Sequence, residues 1–126
     1  MFDAASRIAL GKLGEDLARR ALEARGYAVL ATRYRTRFGE IDIICDDGGT
    51  IVFVEVKARR TRKYGSAAEA VSPRKRRRIA AMALDYLAWT GRIDTRCRFD
   101  VVAIDGIGTP QMSVAVIQHA FPGGFR

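Results

Sequence analysis

The sequence has very little cysteine and histidine. It contains two cysteines, Cys45 and Cys97, and one histidine, His119, among 126 residues. Two cysteines allow at most one disulfide bond, which excludes a disulfide-rich scaffold, and their spacing matches no zinc-binding pattern. Because nitrogen and sulfur donors are so scarce, any metal site in this protein is expected to use oxygen ligands and to hold a hard cation.

The sequence also lacks a long hydrophobic run. No apolar stretch approaches the ~18 residues of a membrane span, and the first residues lack the order of charged and then apolar residues that a secretory signal has. Hydrophobic residues nevertheless make up 48% of the chain, which is enough for one core. We therefore expect a cytoplasmic protein with a single domain over residues 1–120 and a flexible C-terminal tail over residues 121–126.

Acidic residues are scarce in one part of the chain. The whole sequence has 22 lysines and arginines against 14 aspartates and glutamates, a formal net charge of +8. Residues 57–78, here called the basic segment, contain ten of the basic residues and one acid, Glu69, so the segment carries +9 and the rest −1. Such concentration is typical of proteins that bind phosphate groups. A solvated loop, an acidic protein partner and an anionic lipid surface are the other interpretations.

Hydrophobic periodicity predicts two helices and five strands. In the first helix, which Asp3 caps and Gly26 ends, apolar residues recur at steps of three and four. Ser72 followed by Pro73 is a start signal for the second helix, and Trp89 near its end is expected in the core. The order αβββαββ predicts an α/β domain whose mixed β-sheet is flanked by helices. We expect strands over residues 27–35, 38–45, 50–58, 97–104 and 112–118, and the second helix over residues 73–90.

A hairpin between the second and third strands brings four charged residues together. If its turn lies at Gly48-Gly49, Asp42 is directly opposite Glu55. In the same register Glu40 is opposite Lys57. A slip by one residue would bury these charges, because the other face is apolar and has to pack against a helix. That face consists of Ile41, Ile43, Cys45, Val52, Val54 and Val56.

Asp42 and Glu55 are expected to repel each other. Two carboxylates about 5 Å apart favour protonation of one of them, or destabilise the hairpin, unless a cation compensates their charge. Oxygen ligands completed by backbone carbonyls, water and a substrate phosphate suit Mg²⁺ or Mn²⁺. Lys57 would then lie beside the metal, where it can orient water or hold the scissile phosphate. An ordinary salt-bridged surface is the alternative interpretation of the same residues.

Several motifs resemble a known family. They are Gly11-Lys-Leu-Gly-Glu-Asp-Leu-Ala18, Gly39-Glu-Ile-Asp-Ile-Ile44, Phe53-Val-Glu-Val-Lys57, Val71-Ser-Pro-Arg-Lys75 and Arg98-Phe-Asp-Val-Val102. Together they resemble the YraN-like family of uncharacterised bacterial proteins. That family is similar to the restriction-endonuclease-like PD-(D/E)xK nucleases and to the archaeal Holliday-junction resolvases, which implies an αβββαβ core. One departure is Ile41, which stands where the nuclease motif has a proline.

The resemblance also implies a set of site residues. By it, Glu15, Asp42 and Glu55 bind magnesium and Lys57 acts on water or phosphate. Glu40 belongs to the YraN-like pattern but not to the nuclease core, and is therefore an accessory candidate.

Further residues are candidates for contacting nucleic acid. Five basic residues crowd the predicted start of the second helix, where the helix dipole disfavours cations unless an anion is bound. Tyr64 is equally suited to stacking on an unpaired base and to anchoring its loop. Arg33, Arg35 and Arg37 are suited to tracking a nucleic-acid backbone or to holding acids nearby. The candidates in the basic segment are Arg59, Arg60, Arg62, Lys63, Tyr64, Arg74, Lys75 and Arg78.

Three functions stay open on the sequence. The first is a Mg²⁺- or Mn²⁺-dependent endonuclease that hydrolyses DNA phosphodiester bonds, for which the resemblance suggests branched DNA as one substrate. The second is a nucleic-acid-binding module with no catalytic activity. The third is a protein-interaction module that uses the basic segment. The resemblance to resolvases also suggests a homodimer, and no membrane partner is expected.

Overall fold

The predicted order of helices and strands is confirmed. A computed structural model describes residues 4–61 and 72–120, and side chains from Ile8 onward. Every predicted element is present, with ends shifted by a few residues at most. The predicted Asp3 cap and the tail over residues 121–126 lie outside the described residues. The elements are α1 (Ala4–Ala24), β1 (Ala28–Thr36), β2 (Gly39–Asp47), β3 (Thr50–Arg59), α2 (Pro73–Trp89), β4 (Cys97–Asp105) and β5 (Ser113–Ile117).

The strands form one mixed sheet. Their order is β1-β2-β3-β4-β5, with β3 in the centre. β3 and β4 are parallel, and the other three neighbouring pairs are antiparallel. Two adjacent parallel strands need a crossover connection, which α2 provides. Neither helix in the described part of the chain is long and apolar enough to cross a membrane.

Two hydrophobic cores lie on opposite faces of the sheet. On one face α1 packs through Ala18 and Leu22, both 0% exposed, against a cluster that includes Val52 of β3. On the other face Phe53 meets Tyr86 of α2 edge to face, with ring centroids 6.0 Å apart. Successive residues of β3 therefore serve different cores, as the two-residue period of a strand requires. Each fully buried large side chain contributes roughly 1.5–3 kcal/mol to stability.

β2 and β3 pair in the predicted register, but only near their turn. The pairs run from the turn as far as Ile43 opposite Val54. Among the described residues, the ladder does not extend to the predicted pairs of Asp42 with Glu55 and of Glu40 with Lys57. There the carboxylate of Asp42 accepts a hydrogen bond from the backbone N–H of Val56 at 2.7 Å. The two strands therefore separate at Asp42. The side chain of Asp42 accepts the hydrogen bond of the Val56 amide, which a strand partner would otherwise accept.

The separation of the strands moves Ile41 to the other face of the sheet. The sequence pattern places Ile41 beside Ile43, but Ile43 packs on the α1 side and Ile41 packs with Ile44 on the α2 side. This part of the prediction is wrong because strict alternation holds only in a regular strand. The backbone is irregular here, since Arg33 of the neighbouring strand β1 has a φ of 52° in the left-handed region.

Trp89 is exposed rather than buried in the core. Its exposed fraction is 82%, the largest among the exposed hydrophobic side chains of the described residues. The buried residues of α2 recur at Ile79, Met82 and Tyr86. Trp89 lies outside this stripe at the last residue of the helix, so the expectation from residue type alone is wrong.

Arg98 is the centre of a buried polar network. Its guanidinium bonds Asp100 at 3.0 Å, Asp47 at 2.9 Å and the hydroxyl of Tyr27 at 2.7 Å. Asp100 is 0% exposed and also accepts the backbone N–H of His119 at 3.2 Å. The network ties the start of β4 to the end of β2 and to the residues beside β1 and β5. The Arg98 motif therefore has a structural role in this fold.

Replacing Arg98 by Met is expected to lower the free energy of unfolding by about 3–5 kcal/mol, because Asp100 keeps a buried charge without its partner. Urea unfolding at neutral pH, followed by circular dichroism, measures the change. The exposed Arg96, two residues earlier, is the matched control, and Arg96→Met is expected to change stability by less than about 0.5 kcal/mol. Equal stability of the Arg98 variant and the wild type would contradict the structural role.

Candidate active site

A cleft of about 380 Å³ lies between α1 and the strands β1 to β3. Gly14 allows α1 to come close to β3, since a Cβ atom at this position would lie 3.4 Å from Cβ of Ala58. The next residue, Glu15, therefore reaches the cleft. Its lining consists of Gly11, Gly14, Glu15, Arg33, Glu40, Asp42, Val56, Lys57 and Ala58.

The structure brings the predicted site residues together. Glu15, Glu40, Asp42 and Lys57 all line the cleft, although they come from α1, β2 and β3. Glu55 is more deeply buried, with a side chain 5% exposed, and is close enough to Asp42 for their charges to interact. The five positions thus lie in one region at the point where β2 and β3 separate, and its four acids, Glu15, Glu40, Asp42 and Glu55, are here called the acidic cluster.

Asp42 has a strongly altered acidity. Burial, and then the negative charge of Glu55, raise the pKa of Asp42 from 3.8 to about 7. The hydrogen bond from Val56 and the positive charge of Lys75 act in the opposite direction. This result agrees with the repulsion expected from the hairpin register. Asp42 is therefore only partly ionised near neutral pH, and a further cation beside it would favour its ionised form.

Glu55 is paired with a lysine of α2. The Nζ atom of Lys75 contacts Oε1 of Glu55. The start of α2 is well defined, because the Ser72 hydroxyl accepts the backbone N–H of Lys75 at 3.2 Å and Pro73 occupies the first turn. This pair was not predicted from the sequence. The sequence signal for such a pair was the basic first turn of α2, which is unfavourable unless an anion lies nearby. Glu55 is that anion.

Two arginines of β1 hold the other two acids of the cleft. Nε of Arg33 donates to Glu15 at 2.8 Å, and Nε of Arg35 lies 3.5 Å from Glu40. The hydrogen bond to Glu15 raises the pKa of the Arg33 guanidinium. Arg33 and Arg35 were expected either to track a nucleic-acid backbone or to hold nearby acids, and in the structure they hold acids.

The donor set fits a hard cation held by two protein carboxylates. Within residues 4–61 and 72–120, no three acidic, histidine or cysteine side chains are close enough together to hold a metal ion by themselves. Asp42 and Glu55 are neighbouring oxygen donors whose mutual repulsion a cation would relieve. Mg²⁺ commonly binds one or two carboxylates and retains water or phosphate ligands. Glu15 and Glu40 would become available only if their arginine partners moved.

The predicted nucleic-acid contacts differ in their exposure to solvent. Arg62, Lys63 and Tyr64 lie outside the described residues. Arg59 is 25% exposed and its Nε lies 3.3 Å from Asp105, so it joins the ends of β3 and β4. Residues exposed to solvent are Arg60, Arg74 and Arg78, while Lys75 is partly buried.

The start of α2 adjoins the acidic cluster. Lys75 and Arg78 line a second, smaller cleft of about 210 Å³ together with Phe38 and Glu40. Because Glu40 lines both clefts, the basic residues of α2 lie next to the carboxylates. An anion bound at the start of α2 would thus be close to Asp42 and Glu55.

Replacing Asp42 by Asn is expected to stabilise the protein at alkaline pH in the absence of divalent cations. The pKa of Asp42 is about 7 in the fold against 3.8 as its ordinary value, so its ionisation destabilises the fold as pH rises between these values. The variant should gain roughly 1–3 kcal/mol near pH 8, and this gain should shrink towards zero near pH 4.

Urea unfolding at the two pH values measures this difference. Asp16→Asn, which alters an exposed acid of α1, is the matched control and is expected to have little effect at either pH. A gain for Asp42→Asn that is the same at both pH values would contradict the electrostatic explanation.

The chain has clear relatives among known proteins. Residues 14–104 match the model of the uncharacterised protein family UPF0102. A UPF0102 protein of Symbiobacterium thermophilum is 46% identical over 112 residues, which cover 89% of this chain and 95% of the relative. A UPF0102 protein of Syntrophus aciditrophicus is 52% identical over 105 residues, which cover 82% of each chain. One of Rhodococcus jostii is 46% identical over 117 residues, which cover 93% of this chain and 99% of the relative. The chain therefore belongs to the UPF0102 family, which is the YraN-like family that its motifs resemble.

Proposed function

We propose that this protein is a divalent-metal-dependent nuclease that hydrolyses phosphodiester bonds in DNA. The observation that carries the proposal is that Asp42 and Lys57 line one cleft, while the buried Glu55 is close enough to Asp42 for their charges to interact. Paired carboxylates next to a lysine combine a cation site with a group that can act on water or phosphate.

Each residue of the cluster has a distinct proposed role. Bound Mg²⁺ or Mn²⁺ would supply positive charge that stabilises the phosphate in the transition state. Asp42 and Glu55 would hold the cation, and the hydrogen bond from Val56 keeps the Asp42 carboxylate in place. The ammonium group of Lys57 would orient the attacking water or bind a phosphate oxygen. Glu15 is a third acid at the cleft.

The distribution of charge supports a nucleic-acid substrate. The basic segment begins at Lys57 and carries +9, and its described part at the start of α2 includes the exposed Arg74 and Arg78. Arg78 adjoins the acidic cluster, because it lines the smaller cleft together with Glu40. Phosphate groups held by these arginines would pass close to the proposed cation site, which is the arrangement that backbone cleavage requires.

A nucleic-acid-binding module with no catalytic activity is the second candidate. The observation that favours it is that three acids of the cluster, Glu15, Glu40 and Glu55, already have basic partners. Arg33 pairs with Glu15 and Lys75 pairs with Glu55, so much of the negative charge is compensated by the protein itself. In such a module the ion pairs would join the two helices to the sheet, and the basic residues would bind phosphate.

Asp42→Asn and Lys57→Met are each expected to reduce DNA cleavage by roughly 10²-fold or more, because each change removes a group that acts on the reacting phosphate. DNA affinity is expected to stay within about tenfold of the wild-type value, since the basic residues are retained. The measurement is cleavage of duplex, single-stranded and branched DNA with Mg²⁺, with Mn²⁺ and with EDTA, beside an equilibrium binding assay.

Asp16→Asn and Lys12→Met are matched controls, because they alter exposed residues of α1 by the same chemistry and should leave cleavage unchanged. Undiminished cleavage by both cluster variants would refute the proposed site. DNA binding by the wild type without cleavage under any of these conditions would favour the binding module.

The double change Arg74→Gln and Arg78→Gln is expected to weaken DNA binding and to reduce its dependence on salt. Each lost phosphate contact lowers the slope of log affinity against log salt concentration by about one unit. Arg20→Gln with Arg25→Gln is the control of equal charge, because these exposed arginines lie near the end of α1 and just after it, and it should leave the slope closer to the wild-type value. Equal slopes for the wild type and the α2 variant would exclude α2 as the DNA-binding element.

A further inference from the structure

Lys75 connects the acidic cluster with the basic surface. Its Nζ atom contacts Glu55, whose side chain is 5% exposed, while the side chain of Lys75 is 36% exposed. The same lysine lines the small cleft that it shares with Arg78 and Glu40. The carboxylate of Glu55 is thus held inside the protein, whereas the ammonium group of Lys75 can be reached by solvent and by an anion at the start of α2.

A buried carboxylate requires a cation close to it. Leaving Glu55 without a partner would be costly, because the charge has been removed from water. Lys75 meets this requirement in the protein alone, but it places a positive charge at the edge of the site where a divalent cation would bind. Lys75 and the divalent cation therefore compete for the same carboxylate, since two adjacent cations repel each other.

A phosphate group offers Lys75 an alternative partner. Lysine carries its charge on a flexible four-carbon stem with three donors, so its ammonium group can change partners while the backbone stays in place. The backbone of Lys75 is fixed by the bond between its N–H and the Ser72 hydroxyl at 3.2 Å. Only the side chain has to move for the ammonium group to leave Glu55.

We propose that Lys75 is an exchangeable counter-ion that couples DNA binding to metal binding. In the DNA-free protein Lys75 neutralises Glu55 and weakens cation binding. When DNA binds, a backbone phosphate takes Lys75, and Glu55 becomes available to the divalent cation. This inference rests on the proposed nuclease function. By linkage the effect is reciprocal, so a bound cation raises the affinity for DNA by the same factor.

The experiment measures Mn²⁺ affinity by calorimetry, with and without a duplex oligonucleotide. All variants carry Lys57→Met so that the DNA stays intact. In this background DNA is expected to raise Mn²⁺ affinity about tenfold. With Lys75→Gln, Mn²⁺ affinity without DNA should rise about tenfold, and the further gain on adding DNA should fall below about threefold.

Two comparisons separate this role from a general effect of charge. Arg77→Gln removes the same charge from an exposed neighbour in the same helical turn and should retain the tenfold effect of DNA. Lys75→Arg keeps a cation at the position and should restore most of the coupling, which also controls for a folding defect in the Gln variant.

The outcomes for the two proposals differ. If Lys75→Gln leaves both the DNA-free Mn²⁺ affinity and the effect of DNA unchanged, the counter-ion role is wrong. The nuclease proposal then survives provided that Asp42→Asn still abolishes Mn²⁺ binding. If Mn²⁺ binds to no variant, with or without DNA, the metal-dependent function itself is wrong, and the counter-ion role fails with it.

Discussion

The repulsion between Asp42 and Glu55 is the constraint on which the rest of the site depends. Both carboxylates are withdrawn from bulk solvent, and burial together with the charge of Glu55 raises the pKa of Asp42 to about 7. The neighbouring structure compensates in two ways. Lys75 brings a positive charge to Glu55, and the backbone N–H of Val56 bonds Asp42.

The fold supplies these partners from different directions. β3 is the central strand and carries Glu55 and Lys57, while α1 and α2 pack on its opposite faces. Glu15 therefore arrives from one helix and Lys75 from the other. The site lies where the ladder between β2 and β3 ends, so its polar groups are placed without interrupting either hydrophobic core. A buried and well-packed sheet can thus include a cluster of charges at its rim.

Local information in the sequence was sufficient for much of this arrangement. The glycine turn and the alternation around it predict the register that pairs Ile43 with Val54, because both signals act over a few residues. The same register predicts the proximity of Asp42 and Glu55. Element order follows from periodicity and from the Ser72-Pro73 signal.

Other features depend on contacts between distant parts of the chain. Ile41 changes face where Arg33 of β1 has a left-handed backbone and the ladder between β2 and β3 ends, and alternation alone cannot predict this irregularity. The pair of Lys75 and Glu55 depends on where a crossover helix begins above the sheet. The motif around Arg98 was visible as a family resemblance, but its role in a buried network became clear only from the packing.

The bond between Val56 and Asp42 gives the site a spectroscopic reporter in the main chain. In a regular ladder the amide of Val56 would face a backbone carbonyl, whose charge does not change. Here its acceptor is a carboxylate that can be protonated, ionised or engaged by a cation. The nuclear magnetic resonance shift of this single amide therefore follows the state of Asp42, and a backbone group reports on the chemistry of the cleft without any label in the cleft itself.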